Sequence, residues 1–373
     1  MENNQRYGWE YTTEEINEDI LAECTRSGGR TKAAKEGGSA PLTPEDEERV
    51  SKARSAFSLS HIAIAVFILT SQILGVTIQI AAMLLLTPEQ IQNPEVLGIL
   101  TIIINVVAMY ITAFPVFIII AKHVPKASPV EKKKMGIGEL AMFFVISQAA
   151  MFIGAIIGNY ANELINNMTG VIPENSLDTI VSSIPMWLTL LVAVIIGPII
   201  EEIMFRKILI DRLSVVGDGT AIIFSALAFG IFHGNFYQLF YATFIGLIFG
   251  YVYTKTRKLR YTIILHMLVN FMGSIVPEAV EKLCEIAPET VVEIITIAYT
   301  YLQYSFVPFG IMAAVLYIVN HGLKIRKERD LSLPEDNKIR PLIVNPGVII
   351  YYALCAEIML TTIIIQVLEG YLG

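Results

Sequence analysis

Polar and apolar positions fall in long blocks along this chain. About 55 polar residues come first, rich in Gly, Ser and Glu. Nine apolar runs follow, near 61–86, 96–121, 139–158, 184–206, 220–233, 237–253, 261–277, 291–320 and 346–368. A helix needs about 20 apolar residues to cross a ~30 Å hydrocarbon core. The pattern therefore predicts an all-α fold, a polytopic transmembrane bundle of eight or nine spans. The fifth run is short, and the eighth is long enough to tilt or break near Pro308.

Composition sharpens this picture. Hydrophobic residues make up 54% of the 373 positions and charged residues only 16%, and the mean hydropathy is +0.59. Soluble domains carry about 25% charged residues, so a soluble core is excluded. The net charge of −7 argues against a nucleic-acid partner. The three cysteines, Cys24, Cys284 and Cys355, form neither an even set nor a ligand motif, so no disulfide framework or thiolate metal site is expected.

In order, the chain reads as a flexible polar tail (1–55), N-terminal transmembrane helices (56–183), a chemistry-bearing core (184–277) and C-terminal transmembrane helices (278–373). Within the tail, residues 12–22 suit a short acidic helix, and the Gly/Ser-rich pieces that follow read as linker. No apolar stretch follows a basic start, so a cleaved signal peptide is not expected. Basic residues gather before the first run (Arg49, Lys52, Arg54) and after the second (Lys122, Lys126, Lys132, Lys133, Lys134). They gather again after the sixth (Lys255, Arg257, Lys258, Arg260) and the eighth (Lys324, Arg326, Lys327, Arg329). The intervening loops, 87–95, 159–183 and 277–289, are acidic or neutral. The positive-inside rule then places the N-terminus in the cytoplasm and, with nine spans, the C-terminus outside.

Ionisable side chains inside apolar spans cost several kcal/mol and are functional candidates by default. Three neighbouring runs carry them: Glu201, Glu202 and Arg206 in the fourth, His233 in the fifth, and His266 with Asn270 in the seventh. Glu202 and Arg206 are four apart and share a helical face, as do Phe229 and His233, and His266 and Asn270. Glu201 is turned about 100° from Glu202, so one glutamate can pair with arginine while the other faces the histidines. Helical rise puts Glu201 about 16 Å from Arg212, His233 about 22 Å from Asp218 and Asn270 about 18 Å from Lys258, so the three sets can meet. A desolvated carboxylate can take a proton from water, and His and Asn donors can stabilise the resulting oxyanion.

In this order, on the fourth, fifth and seventh runs, EExxxR, FxxxH and HxxxN resemble the motifs of the CAAX prenyl endopeptidase/Abi family, the CPBP intramembrane proteases. The resemblance runs over about 184–277. It implies an intramembrane endopeptidase in which Glu201 is the base, assisted by His233. His266 and Asn270 would then form the oxyanion site, with Glu202 and Arg206 supporting the geometry. It also implies a peptide or lipid-anchored protein substrate within membrane lipid, most simply in a prokaryotic plasma membrane.

Competing chemistries remain in view. No HExxH, GxGD or GxSG signature is present. Glu201, His233 and His266 could instead ligate zinc with water in the fourth place, although a metal-free site with no cofactor is the favoured reading. Buried Glu, Arg and His also occur in transporters with proton relays, and an inert immunity protein could keep the fold. Two further expectations concern packing. Gly154 with Gly158, Gly230 with Gly234, and Gly246 with Gly250 would let helices approach closely, and Glu357, in the last run, is expected to be buried against a neighbouring helix. Asn167-Met168-Thr169 matches a glycosylation sequon in the 159–183 loop.

Overall fold

The computed structural model describes residues 42–171, 183–334 and 339–372, and of residues 370–372 only the backbone. The expectations for the acidic helix, the linker and Cys24 lie outside these residues. Among the described residues every element is helical. Besides two single turns, Pro88–Ile91 and Arg340–Ile343, they are in chain order α1 (Pro44–Met83), α2 (Pro94–Ala121), α3 (Ile137–Thr169), α4 (Met186–Val216), α5 (Asp218–Phe232), α6 (Phe236–Thr256), α7 (Leu259–Ile286), α8 (Glu289–His321) and α9 (Pro346–Leu372). All but α5 are long and apolar enough to cross a membrane, which gives eight candidate spans and one shorter apolar helix. The protein is an integral, multi-pass membrane protein.

Several boundaries differ from the sequence expectation. α1 begins at Pro44, inside the expected polar tail. Thr43 caps it by accepting from the Asp46 N–H, Pro44 opens the first turn, and Glu45, Asp46 and Glu47 complement the N-terminal dipole. α3 continues to Thr169 and stops at Gly170, whose φ of 77° supplies a left-handed cap. The sequon therefore sits in a helical last turn. α7 likewise runs to Ile286 through the expected acidic loop. α8 passes Pro308 without a break.

Proline explains a different irregularity. α2, α4 and α7 each widen into a π-helical turn, at Val106–Ala113, Leu190–Ile196 and Phe271–Ile275. Each of these turns is followed two residues later by a proline, namely Pro115, Pro198 and Pro277. A proline ring clashes with the carbonyl one turn earlier and donates no hydrogen bond; a widened turn accommodates both defects. A fourth π turn, Ile203–Ile210, lies in α4 without a following proline.

Close packing of α3, α5 and α6 builds the centre of the bundle. A Cβ on Gly154 would strike the Tyr241 backbone, and one on Gly158 would lie 2.6 Å from the Phe236 carbonyl oxygen. Gly230 and Gly246 fit the α5–α6 crossing in the same way, against Thr243 and Ala226. Gly234 does not belong to this set: it lies in the α5–α6 turn with φ 68°, and its role is conformational. We expect Gly154→Leu to lower the thermal midpoint of the purified protein sharply, because neither backbone can retreat. Gly138→Ala, with no heavy atom near the added Cβ, should leave the midpoint unchanged or raise it.

The basic loops meet at one end of the bundle. Asp218 receives Arg257, Arg326 (3.2 Å) and Arg329 (3.5 Å). The Ala127 N–H donates to the Asp211 carbonyl and the Lys133 N–H to the Thr256 carbonyl. Glu357 is exposed on α9, and its contact is with Thr361 of the same helix at 3.0 Å. The expectation of a buried neighbour is corrected: α9 is apolar on every side, so its sequence does not mark which face turns inward.

Candidate active site

The π turns converge on one place in the bundle. α4 delivers Glu201 and Glu202 between its two widened turns and Arg206 within the second. His233 follows the last residue of α5. His266 and Asn270 occupy the end of the regular part of α7, just before its π turn. Widened turns redirect side chains and leave carbonyls for side-chain donors. Asn270 Nδ2 donates to the Ala193 carbonyl at 2.9 Å, and Ser225 Oγ to the Phe205 carbonyl at 2.8 Å. Asn270 thus ties α7 to the first π turn of α4.

The two adjacent glutamates have different surroundings. The Glu202 side chain is fully buried, whereas that of Glu201 is 21% exposed. Glu202 Oε2 lies 3.3 Å from Arg206 Nε, and its Oε1 lies 3.0 Å from His266 Nδ1. Thr262 approaches the same carboxylate. Arg206 is itself wholly buried, with its guanidinium 4.5 Å above the Phe229 ring and 5.7 Å from that of Phe249. Phe229 also meets both histidines edge-on, at 4.9 Å for His233 and 5.7 Å for His266.

These contacts orient the imidazoles. A carboxylate only accepts, so His266 Nδ1 carries its proton toward Glu202. Nε2 then faces Glu201, at 3.6 Å from Oε2. His233 Nδ1 lies 2.8 Å from the Phe229 carbonyl, which also only accepts, so its Nε2 is left for the site. His233 lies within electrostatic range of both Glu201 and His266. The structure therefore gathers Glu201, Glu202, Arg206, His233 and His266, with Asn270 alongside. His266 is anchored by Glu202 rather than standing apart from it, as the spacing alone would have allowed.

One group near the site was missed by sequence reasoning. Around Gly197 the Tyr110 hydroxyl and Glu201 Oε1 come within 3.2 and 4.0 Å of the point where a Cβ would stand. Tyr110 lies in the π turn of α2, and its hydroxyl feels the Glu201 charge. The available signal was Pro115, which marks a widened turn in an otherwise featureless apolar span.

The donor chemistry of Glu201, His233 and His266 suits zinc, and each histidine has the outer-nitrogen contact usual for a ligand. As arranged, however, no group of three or more His, Cys, Asp or Glu side chains among the described residues converges closely enough to hold a metal ion.

Comparison with known proteins places this site in context. Residues 183–272 match the family described as "Type II CAAX prenyl endopeptidase Rce1-like". The chain is 28% identical over 169 residues to "Putative membrane peptidase YdiL" of Bacillus subtilis (strain 168), an alignment covering 44% of this chain and 67% of that protein. It is 35% identical over 104 residues to "Membrane-embedded CAAX protease MroQ" of Staphylococcus aureus (strain USA300), covering 24% of this chain and 41% of that protein. No solved structure matches the chain.

Proposed function

We propose, on the premise that residues 183–272 are a CAAX-protease-type domain, that this protein is an intramembrane endopeptidase whose base is Glu201. The observation that carries the reading is the division of labour between two adjacent carboxylates. Glu202 is buried and committed to Arg206 and His266, whereas Glu201 is partly exposed and its contact with His266 Nε2 is longer, at 3.6 Å.

In this reading a water held between Glu201 and His233 Nε2 attacks the carbonyl carbon of a peptide bond as Glu201 takes its proton. The oxyanion that forms is met by the second N–H of the Asn270 amide and, in its imidazolium form, by the Nε2–H of His266. Glu201 then passes the proton to the leaving amine as the C–N bond breaks. Glu202 and Arg206 act as positioning residues: they hold the His266 ring so that it need not reorganise as charge develops. The Tyr110 hydroxyl, within electrostatic range of Glu201, is a further candidate for orienting that carboxylate.

The substrate we propose is a membrane-associated peptide or lipid-anchored protein, presented from the side that carries the basic loops. By the positive-inside rule that side is cytoplasmic, and the compartment is a prokaryotic plasma membrane. The mechanism in this reading is metal-free: Glu201 activates the water directly. The test uses the protein reconstituted in liposomes with a lipid-anchored reporter peptide. We expect a single endoproteolytic cut that persists after exhaustive chelation. Stoichiometric zinc, lost together with activity and restored on adding it back, would replace the metal-free mechanism.

A further inference from the structure

Away from the catalytic cluster, at the end of the bundle where the basic loops meet, a cavity of about 430 Å³ opens between the C-terminal ends of α6 and α8 and the segment that follows α8. Four cations, Lys133, Lys255, Lys324 and Arg326, border it, against one carboxylate, Asp218. Two of these cations are already engaged. Lys255 is paired with Glu139 and donates to the Tyr317 hydroxyl at 2.5 Å, and Arg326 lies 3.2 Å from Asp218. Asp218 is itself outnumbered, because Arg257 and Arg329 share it. Lys133 and Lys324 have no ion-pair partner among the described residues, and both are exposed at the rim. A chain with an overall charge of −7 thus concentrates positive charge around one concave space.

The walls indicate which anion would fit. Tyr251 and Tyr317 line the cavity with their hydroxyls 3.1 Å apart, and tyrosines with a polar tip and an apolar body suit the membrane–water boundary. Along the segment after α8, exposed Leu323 (56%) and Ile325 (37%) alternate with Lys324 and Arg326. That pattern meets an acyl layer and a charged headgroup layer together. A free phosphate would use the cations and leave the apolar side chains in water.

We propose that this cavity binds the phosphate headgroup of an anionic phospholipid, with Lys133 and Lys324 as its uncommitted cations. The site is independent of the proteolytic one: its residues lie outside the catalytic cluster, and its test measures no cleavage.

The test is a lipid titration of the purified full chain in neutral detergent, read by native mass spectrometry. Phosphatidylglycerol, phosphatidylcholine and inorganic phosphate are the probes. The variants are Lys133→Gln/Lys324→Gln and a control from the same basic face, Lys122→Gln/Lys126→Gln. Each surface cation contributes about a fivefold preference for an anionic lipid. The site variant should therefore bind phosphatidylglycerol about 10- to 30-fold more weakly, with phosphatidylcholine binding unchanged and the control variant like wild type. Equal losses in the site and control variants would show diffuse surface attraction and overturn the proposal. So would equal affinity for the two lipids in the wild type. Inorganic phosphate displacing phosphatidylglycerol at comparable concentration would assign the cavity to a free anion and overturn the lipid assignment.

Discussion

Replacing Glu201 with glutamine is expected to lower proteolytic activity by about 10² or more while leaving the protein folded. Glutamine keeps the shape of the side chain but cannot accept a proton, and the removal of a positioned general base costs about that factor. Folding should survive because Glu201 is partly exposed and its contact with His266, at 3.6 Å, is long. Glu202→Gln should behave differently, because Glu202 is fully buried and holds both Arg206 and His266. Its loss should appear in thermal stability as well as in rate. An active Glu201→Gln beside a folded but inactive Glu202→Gln would exchange the two roles.

Arg206→Ala is expected to give the largest loss of stability among single changes at the site. Arg206 is wholly buried and lies 3.3 Å from Glu202, with Phe229 packed against its guanidinium at 4.5 Å. Removing one partner of a buried pair leaves an uncompensated charge and costs about 3–5 kcal/mol. The lost packing on Phe229 adds to this. Replacing both partners, as Glu202→Gln/Arg206→Met, removes the stranded charge and should recover much of the stability. Activity should stay low in the double variant, because His266 loses the carboxylate that fixes its ring. Thermal unfolding in detergent, measured beside the liposome assay, separates the two effects; wild-type stability in Arg206→Ala would contradict the assigned pairing.

The sequence already contained much of this site, for a physical reason. In a membrane-spanning helix a charge is conspicuous, and a spacing of four names the face it occupies. Glu202 with Arg206 and His266 with Asn270 could therefore be paired before any coordinates. Relations between helices could not. That His266 turns its Nδ1 to Glu202, and not to open space, depends on the crossing of α4 and α7. Tyr110 is 91 positions from Glu201, and no periodicity links them. The π turns were half-visible: Pro115, Pro198 and Pro277 mark them, but Pro308 has the same appearance and α8 runs through it unchanged. Glu357 was misplaced because α9 has no polar stripe to orient it. The start of α1 was missed for the opposite reason. The polar composition of residues 43–49 masked a complete helix-start signal of Thr43, Pro44 and three acids.

The central claim is that this chain cuts a membrane-associated substrate with Glu201. The most direct measurement compares protein termini in native membranes bearing either wild type or Glu201→Gln, by mass spectrometry. New termini of a membrane-associated or lipid-anchored protein should appear with wild type alone, while its uncut form accumulates with Glu201→Gln. Identical termini in both membranes, with both proteins folded and present at equal levels, would contradict the claim.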